Sequence, residues 1–412
     1  MRPVLDGHDV CLDPPATAQV WLGTGVGGGH GFSEIAVPGV RLARGDALVA
    51  VELAAFGPDE VLALVGRGAA SLPVVPGGSA VGRVVEADEH ARAHDGRRLR
   101  TGMRVVWSGT VACGRCVPCH RGLASACVSG ERYGGERTRR SWQLSGTIAS
   151  HVHLRRGTTV VVVAEDVPAA VLAPVAGAIA TAAEVLHRAS SLLGLSGVPS
   201  LAGQVAVVSG AGAAGLVATA MATDAGARVV VVDPEEARRE RSRAFGAVAL
   251  ADPRASTGSH ALPRVLASVD RSGRHRTVGF AFDGGTGVSA LVDQVAVGGV
   301  VVLGGAASAT GTPAGGRTVS RGRDLVVASG RLVEGLVTLT GTQDAAPERL
   351  ASAVAWSSDA WQRWPLESLV GRTIPLAEVG GALTGVGAGA GDGLIGVLGG
   401  QLGVGQEARL RR

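Results

Sequence analysis

The 412-residue chain contains no lysine and no asparagine, and only one tyrosine. Without lysine no Schiff base can form on the protein, and without asparagine there is no Asn-x-Ser/Thr glycosylation site. Aromatics make up 3% of the residues while glycine alone supplies 64, a skew toward Ala, Gly, Val and Arg that looks like a coding bias and weakens inference from composition. A dominant charge is also missing. The 39 basic and 35 acidic residues leave a net charge of +4 scattered along the chain, too mild for an electrostatic nucleic-acid footprint, so no nucleic-acid partner is expected. Met1 to Pro15 carries Asp6, Asp9 and Asp13 but no basic head followed by an apolar run; no secretory signal is visible, and a cytoplasmic location is expected. The most membrane-like stretch, Val167 to Ala183, is uncharged but short and contains Pro168 and Pro174, so it reads as a buried segment of a soluble protein with no membrane partner. What remains is 46% hydrophobic and 18% charged, a globular composition over a length that allows two to three domains of roughly 150 residues each.

From Thr17 to about Asp166 the chain reads as short strands punctuated by Gly and Pro, such as Leu48 to Leu53 and Val81 to Glu86. From Pro168 the texture changes to apolar strand runs alternating with Ala-rich helical stretches, the pattern of βαβ units around a parallel sheet. Strands are predicted at Val205 to Ser209, Val229 to Val232, Val278 to Phe282, Val300 to Leu303 and Leu336 to Thr340, and a helix around Glu348 to Trp356. Domains are therefore expected at 1–166 and 167–345, with 346–412 returning to the first domain and ending in a basic tail.

The run Val205 to Ser209 enters Gly210-Ala211-Gly212-Ala213-Ala214-Gly215 and then an Ala-rich stretch. That places G-x-G-x-x-G at a strand-to-helix turn. The first Gly permits the tight turn, the second lets the backbone approach a pyrophosphate, and the third allows close helix-to-strand packing. A second strand ends at Asp233, where an acid can accept a ribose hydroxyl and repel a 2′-phosphate. NAD is favoured over NADP, with Arg238 and Arg239 close enough to work against that preference.

Four of the five cysteines crowd together as Cys113, Cys116, Cys119 and Cys127, while Cys11 stands apart as an ordinary small residue. Four thiolates suit tetrahedral zinc with no open position, which makes a structural rather than a catalytic site. Disulfides are disfavoured in a reducing compartment, and the spacing fits neither ferredoxin pattern of iron–sulfur ligation.

A β-rich first domain with a four-Cys lobe, followed by a dinucleotide-binding domain, resembles the zinc-containing medium-chain alcohol dehydrogenases from about Thr17 to about Gly399. Val105-Val106-Trp107-Ser108, Arg132-Tyr133-Gly134, Trp142 to Gly146 and His151-Val152-His153-Leu154 look most like the members associated with phosphonate metabolism. The resemblance implies an α/β architecture: a GroES-like β-rich domain plus a Rossmann domain with a doubly wound parallel sheet. It also implies a homodimer or homotetramer that oxidises a small-molecule alcohol with NAD and an active-site zinc.

Departures from the family pattern fall on that active-site zinc. Where the family has a Cys-Gly-Ser-Asp turn this chain has Phe56-Gly57-Pro58-Asp59, where it has Gly-His-Glu this chain has Gly77-Gly78-Ser79, and Gly177 stands at the third ligand position. Tyr133-Gly134-Gly135-Glu136 replaces a related Tyr-Gly-His-Glu segment. By this alignment none of the three protein ligands that a catalytic zinc needs remains. Asp59, Thr181 and Tyr133 are the candidate catalytic residues, with Ser79 and Glu136 as further polar groups near the vacated position. Each has a structural alternative: a turn residue for Asp59, a hydroxyl back-bonded to its helix for Thr181 and a buried, satisfied phenol for Tyr133. His151 and His153 share a strand face but have no evident partner ligand, and read as packing residues. The expected function is that of an NAD-dependent oxidoreductase that keeps structural zinc and has lost catalytic zinc, acting on a small alcohol, aldehyde or phosphonate. The alternative is a non-catalytic NAD-binding relative serving as a partner or regulatory subunit.

Overall fold

The computed structural model describes residues 7–24, 30–57, 60, 64, 72–194, 200–258, 261–304, 310–311, 319–320, 325–343, 345–383 and 393–399. Strands β1 (Gly7–Thr24) and β2 (His30–Ala43) form a long antiparallel hairpin. Its register slips between Cys11 and Ala16, where Pro14 and Pro15 have no N–H to give to the ladder. There follow β3 (Ala47–Phe56), β4 (Ser79–Ala87), β5 (Arg104–Val111), β6 (Glu131–Arg132), β7 (His151–Leu154) and β8 (Thr158–Val162). The parallel part of the chain holds β9 (Val205–Ser209), β10 (Arg228–Val232), β11 (Ala247–Ala251), β12 (Val278–Ala281), β13 (Val300–Gly304) and β14 (Thr338–Thr342). After the helix Pro347–Ala360 come β15 (Val370–Pro375) and β16 (Leu394–Leu398).

Two units result. Met1–Gly177, Ala346–Trp361 and Glu367–Arg412 make the first, and Ala178–Ala345 with Gln362–Leu366 the second. The first is built on a sheet ordered β15-β16-β3-β4-β5-β6, with β7 pairing β3 and β8 pairing β5. Its core gathers Phe56, Trp107, Trp142, Ile148 and Val152, all nearly free of solvent. This unit runs on to Gly177, beyond the change of sequence texture near 166, because the turn at Ala173 hydrogen-bonds back onto β4 through Ser79.

In the second unit β11-β10-β9-β12-β13-β14 lie side by side, all parallel. Such a sheet is covered on both faces, which is why β9 is an unbroken buried run. The order reverses between β9 and β12, and the crevice at the carboxyl ends of those two strands is where such folds bind ligands. Two details differ from the sequence reading. Strand β11, Ala-Val-Ala-Leu-Ala, was not anticipated, since Ala and Leu favour helix locally and only pairing with β10 makes it extended. The strand expected from Leu336 begins at Thr338 instead, because Leu336 has φ of 50°, outside strand geometry.

The apolar stretch Ala169–Leu192 is long and apolar enough to cross a membrane by length and composition, yet 56% of its most apolar window is buried inside the protein. It is not one regular helix. Pro174, which cannot donate to a helical ladder, lies between Ala169–Leu172 and a π-helical turn at Val175–Ile179, after which Ala180–Leu192 is regular.

Candidate functional site

At the end of β9 the backbone turns at Gly210, whose φ of 95° suits glycine alone. Gly212 caps the helix Ala213–Asp224 with extended backbone, and a Cβ built there would meet nothing within 4 Å. Gly215 is the opposite case: its Cβ would lie 1.8 Å from the Gly210 carbonyl oxygen, so only glycine lets this helix sit against the loop. Helical bonding begins with the Leu216 amide donating to Gly212, which leaves earlier first-turn N–H groups for an anion. Open space over Gly212, free amides and the positive end of the helix form a cradle that fits a pyrophosphate.

Asp233 follows β10 and is buried. One carboxylate oxygen accepts the Ala211 amide at 2.8 Å and the other the Glu235 amide at 2.8 Å. The acid therefore pins the glycine loop while keeping lone pairs for ribose hydroxyls. Arg239, named as a threat to NAD preference, is buried and donates to the carbonyls of Asp233 and Pro234 at 2.7 and 2.9 Å. Its guanidinium is thus engaged with the turn. A second acid, Asp283, sits at the reversal of strand order, accepting the Ser209 hydroxyl at 2.6 Å and the amides of Gly285 and Gly287 at 3.1 and 2.8 Å. Sequence reasoning missed it, although Asp-Gly-Gly after a strand is a turn signal that could have drawn notice.

In the first unit the four cysteine sulfurs all lie within 4.8 Å of one another. The short helix Val117–His120 begins directly after Cys116 and carries Cys119, which brings the two sulfurs to 3.4 Å, with Cys116 to Cys127 at 3.9 Å. Zinc at about 2.3 Å from each sulfur would space them by roughly 3.8 Å, so this donor set fits the ion. The Arg115 backbone N–H, with help from Cys127, pulls the Cys113 thiol down to about 6, whereas burial pushes Cys119 up to about 12. Among the described residues this is the only group of three or more Cys, His, Asp or Glu side chains placed to share a metal.

The other candidates are scattered. Asp59 lies outside the described residues. Tyr133 is buried, its hydroxyl 2.7 Å from the Thr158 hydroxyl and accepting the Arg155 amide at 3.0 Å, and burial raises its pKa well above that of a free phenol. Donor and acceptor capacity are both used inside the fold, as expected of a structural hydroxyl. Thr181 is half-buried at the start of the helix Ala180–Leu192. Glu136 accepts the Arg132 amide at 3.2 Å. His151 meets the Ser150 hydroxyl at 3.0 Å, while buried His153 pairs with buried Asp46 at 2.9 Å, so the two rings do not converge on a metal.

Ser79 and Gly177 do come together. The Ser79 hydroxyl donates to the Ala173 carbonyl at 2.6 Å and accepts the Gly177 amide at 3.1 Å, and a Cβ on Gly177 would touch Ser79 at 3.6 Å.

Residues 43–165 match the alcohol dehydrogenase GroES-like domain, and residues 178–270 the alanine dehydrogenase/PNT C-terminal domain. The structure of an alcohol dehydrogenase from Thermotoga maritima superposes with a TM-score of 0.77 over 93% of this chain and 99% of its own, at 23% identity. The chain therefore shares the fold of that alcohol dehydrogenase. A structure described as a short chain alcohol dehydrogenase from Escherichia coli CFT073, complexed with cofactor NADH, matches with a TM-score of 0.71 over 93% of this chain and 99% of its own, at 16% identity. In sequence, L-threonine 3-dehydrogenase of Streptomyces avermitilis is 32% identical over 194 residues, 46% of this chain. The chain spans about half, 50%, of the length of that curated relative. The expected pairing of a GroES-like domain with a Rossmann domain is borne out.

Proposed function

We propose that this chain is an NAD-dependent oxidoreductase of the alcohol dehydrogenase type that keeps a structural zinc and works without a catalytic one. Its substrate is a small alcohol, aldehyde or phosphonate, it acts as a homodimer or homotetramer, and it resides in the cytoplasm. The observation that carries the reading is the open cradle over Gly212, closed beneath by Gly215 and pinned by Asp233. The nicotinamide cofactor, when bound, supplies the hydride acceptor or donor. First-turn amides of the helix Ala213–Asp224 hold its pyrophosphate, and Asp233 accepts ribose hydroxyls while its charge opposes a 2′-phosphate.

Loss of the catalytic zinc is supported by the residues at the aligned positions. Gly78 and Gly177, at the positions of the family's His and third ligand, offer no side chain, and the Ser79 hydroxyl that meets the Gly177 amide is already bonded to two backbone groups. Phe56, at the position of the family's thiolate, is buried carbon. This set does not suit a metal that needs three donors and an open position. Since Tyr133 is occupied within the fold, Thr181 and Asp59 are the residues we assign to handling the substrate oxygen or its proton.

The same replacements favour a second reading, a cofactor-binding relative that regulates a partner. Purified protein is to be assayed with NAD and NADH against alcohols, aldehydes and phosphonates. Turnover that falls in Thr181→Val or Asp59→Ala while NADH still binds supports the enzyme, and tight NADH binding with no turnover on any substrate supports the regulatory relative.

A further inference from the structure

Three turns of the first unit meet at one end of its sheet: Arg44-Gly45 between β2 and β3, the stretch His90 to Arg92 after β4, and Arg156-Gly157 between β7 and β8. They enclose a cavity of about 310 Å³ whose lining includes all three arginines and His90 and no carboxylate. Glu89, whose carboxylate is 3.8 Å from the His90 ring, stands at the rim, and two other acids work through the turns. Asp46 accepts the amides of Ala43 and Arg156 at 3.1 and 2.8 Å and pairs with His153. Asp88 accepts the amides of Gly45 and His90 at 2.7 and 2.9 Å and faces the His90 ring at 3.2 Å. These two carboxylates therefore lock the three turns together through backbone amides.

The arginines are left over. Arg44 and Arg156 have no ion-pair or hydrogen-bond partner for their guanidinium groups among the described residues. Arg92 is braced at the rim by donating to the carbonyls of Glu89 and Ala91 at 2.6 and 3.1 Å. Gly45, with φ of 88°, lets the Arg156 stem lie across the turn, since a Cβ there would come within 3.2 Å of it. The three arginines are exposed and line one notch, where their forked donors can together give paired N–H···O bonds to an anion with several oxygens.

We propose that this notch binds the phosphoryl group of a small phosphorylated molecule. Three forked cations match a dianion better than a single carboxylate, and the cavity exceeds a bare phosphate, leaving room for the group that carries it. Nothing in this assignment depends on the dehydrogenase reading, because it uses only turns of the first unit.

The test is calorimetric titration with sodium pyrophosphate at constant ionic strength, in a Gly212→Val background that blocks the glycine loop. The expected result is one saturable site, weakened about tenfold or more by adding Arg44→Ser and Arg156→Ser, with the melting temperature unchanged. Absence of saturable binding in that background overturns the proposal, and so does citrate binding as tightly as pyrophosphate. Should Gly212→Val fold poorly, wild-type protein saturated with NADH serves as the background, with the same two outcomes decisive.

Discussion

Gly212 and Gly215 belong to one motif, yet a side chain added at each is expected to do different damage. Gly215→Ala drives a methyl into the Gly210 carbonyl, a clash with backbone that no rotamer relieves, so both the melting temperature and NADH affinity should fall. At Gly212 the added atoms enter open space and φ is −70°, so Gly212→Val should melt close to wild type while NADH affinity drops about tenfold or more. Fluorescence titration of NADH beside a thermal melt separates the two. Both glycines were readable from sequence because their requirements are local, set by neighbours within the same turn. Asp283 was not, since its role depends on Ser209, which reaches it only when β9 and β12 pair.

Among the elements, the cysteine lobe allows a direct count. One zinc per chain is expected by elemental analysis of untagged protein, lost in Cys116→Ser; two zincs, one of them surviving the substitution, would restore a catalytic metal. Strand β7 carries a pH dependence. Burial lowers the His151 imidazole to about 4, whereas an unfolded histidine titrates near 6.5. The unfolded chain thus takes up a proton first as pH falls. Stability from this group is complete above about pH 6.5 and is withdrawn between there and pH 4, by up to about 3 kcal/mol. Melting temperatures over that range should fall less steeply in His151→Gln than in wild type. Elements were legible where their own pattern decided them, as with β9 and the helix Pro347–Ala360, whose first-turn proline and acid mark a helix start. They were missed where a partner decided them: β11 is extended only by virtue of β10.

Across the whole molecule, alternating strands and helices pointed to a parallel sheet, while its doubly wound form was expected only from the resemblance to the alcohol dehydrogenases. Two candidate sites were legible as well, a glycine loop suited to a dinucleotide and a cluster of four sulfurs. Harder to read was the bond between the Ser79 hydroxyl and the Gly177 amide, which joins positions 98 residues apart. Cofactor choice is testable on the intact protein. NADH at a hundred times its dissociation constant adds about 2.7 kcal/mol of stability, so the melting temperature should rise with NADH, rise less with NADPH at equal concentration, and not rise in Gly212→Val.

Leu336 takes a left-handed backbone with its side chain 65% exposed, the only non-glycine residue among those described to do so. That conformation costs a branched aliphatic residue about 1–2 kcal/mol, and asparagine, the side chain that tolerates it best after glycine, is absent from the entire sequence. The turn into β14 thus carries a torsional load that glycine, plentiful elsewhere in the chain, would relieve.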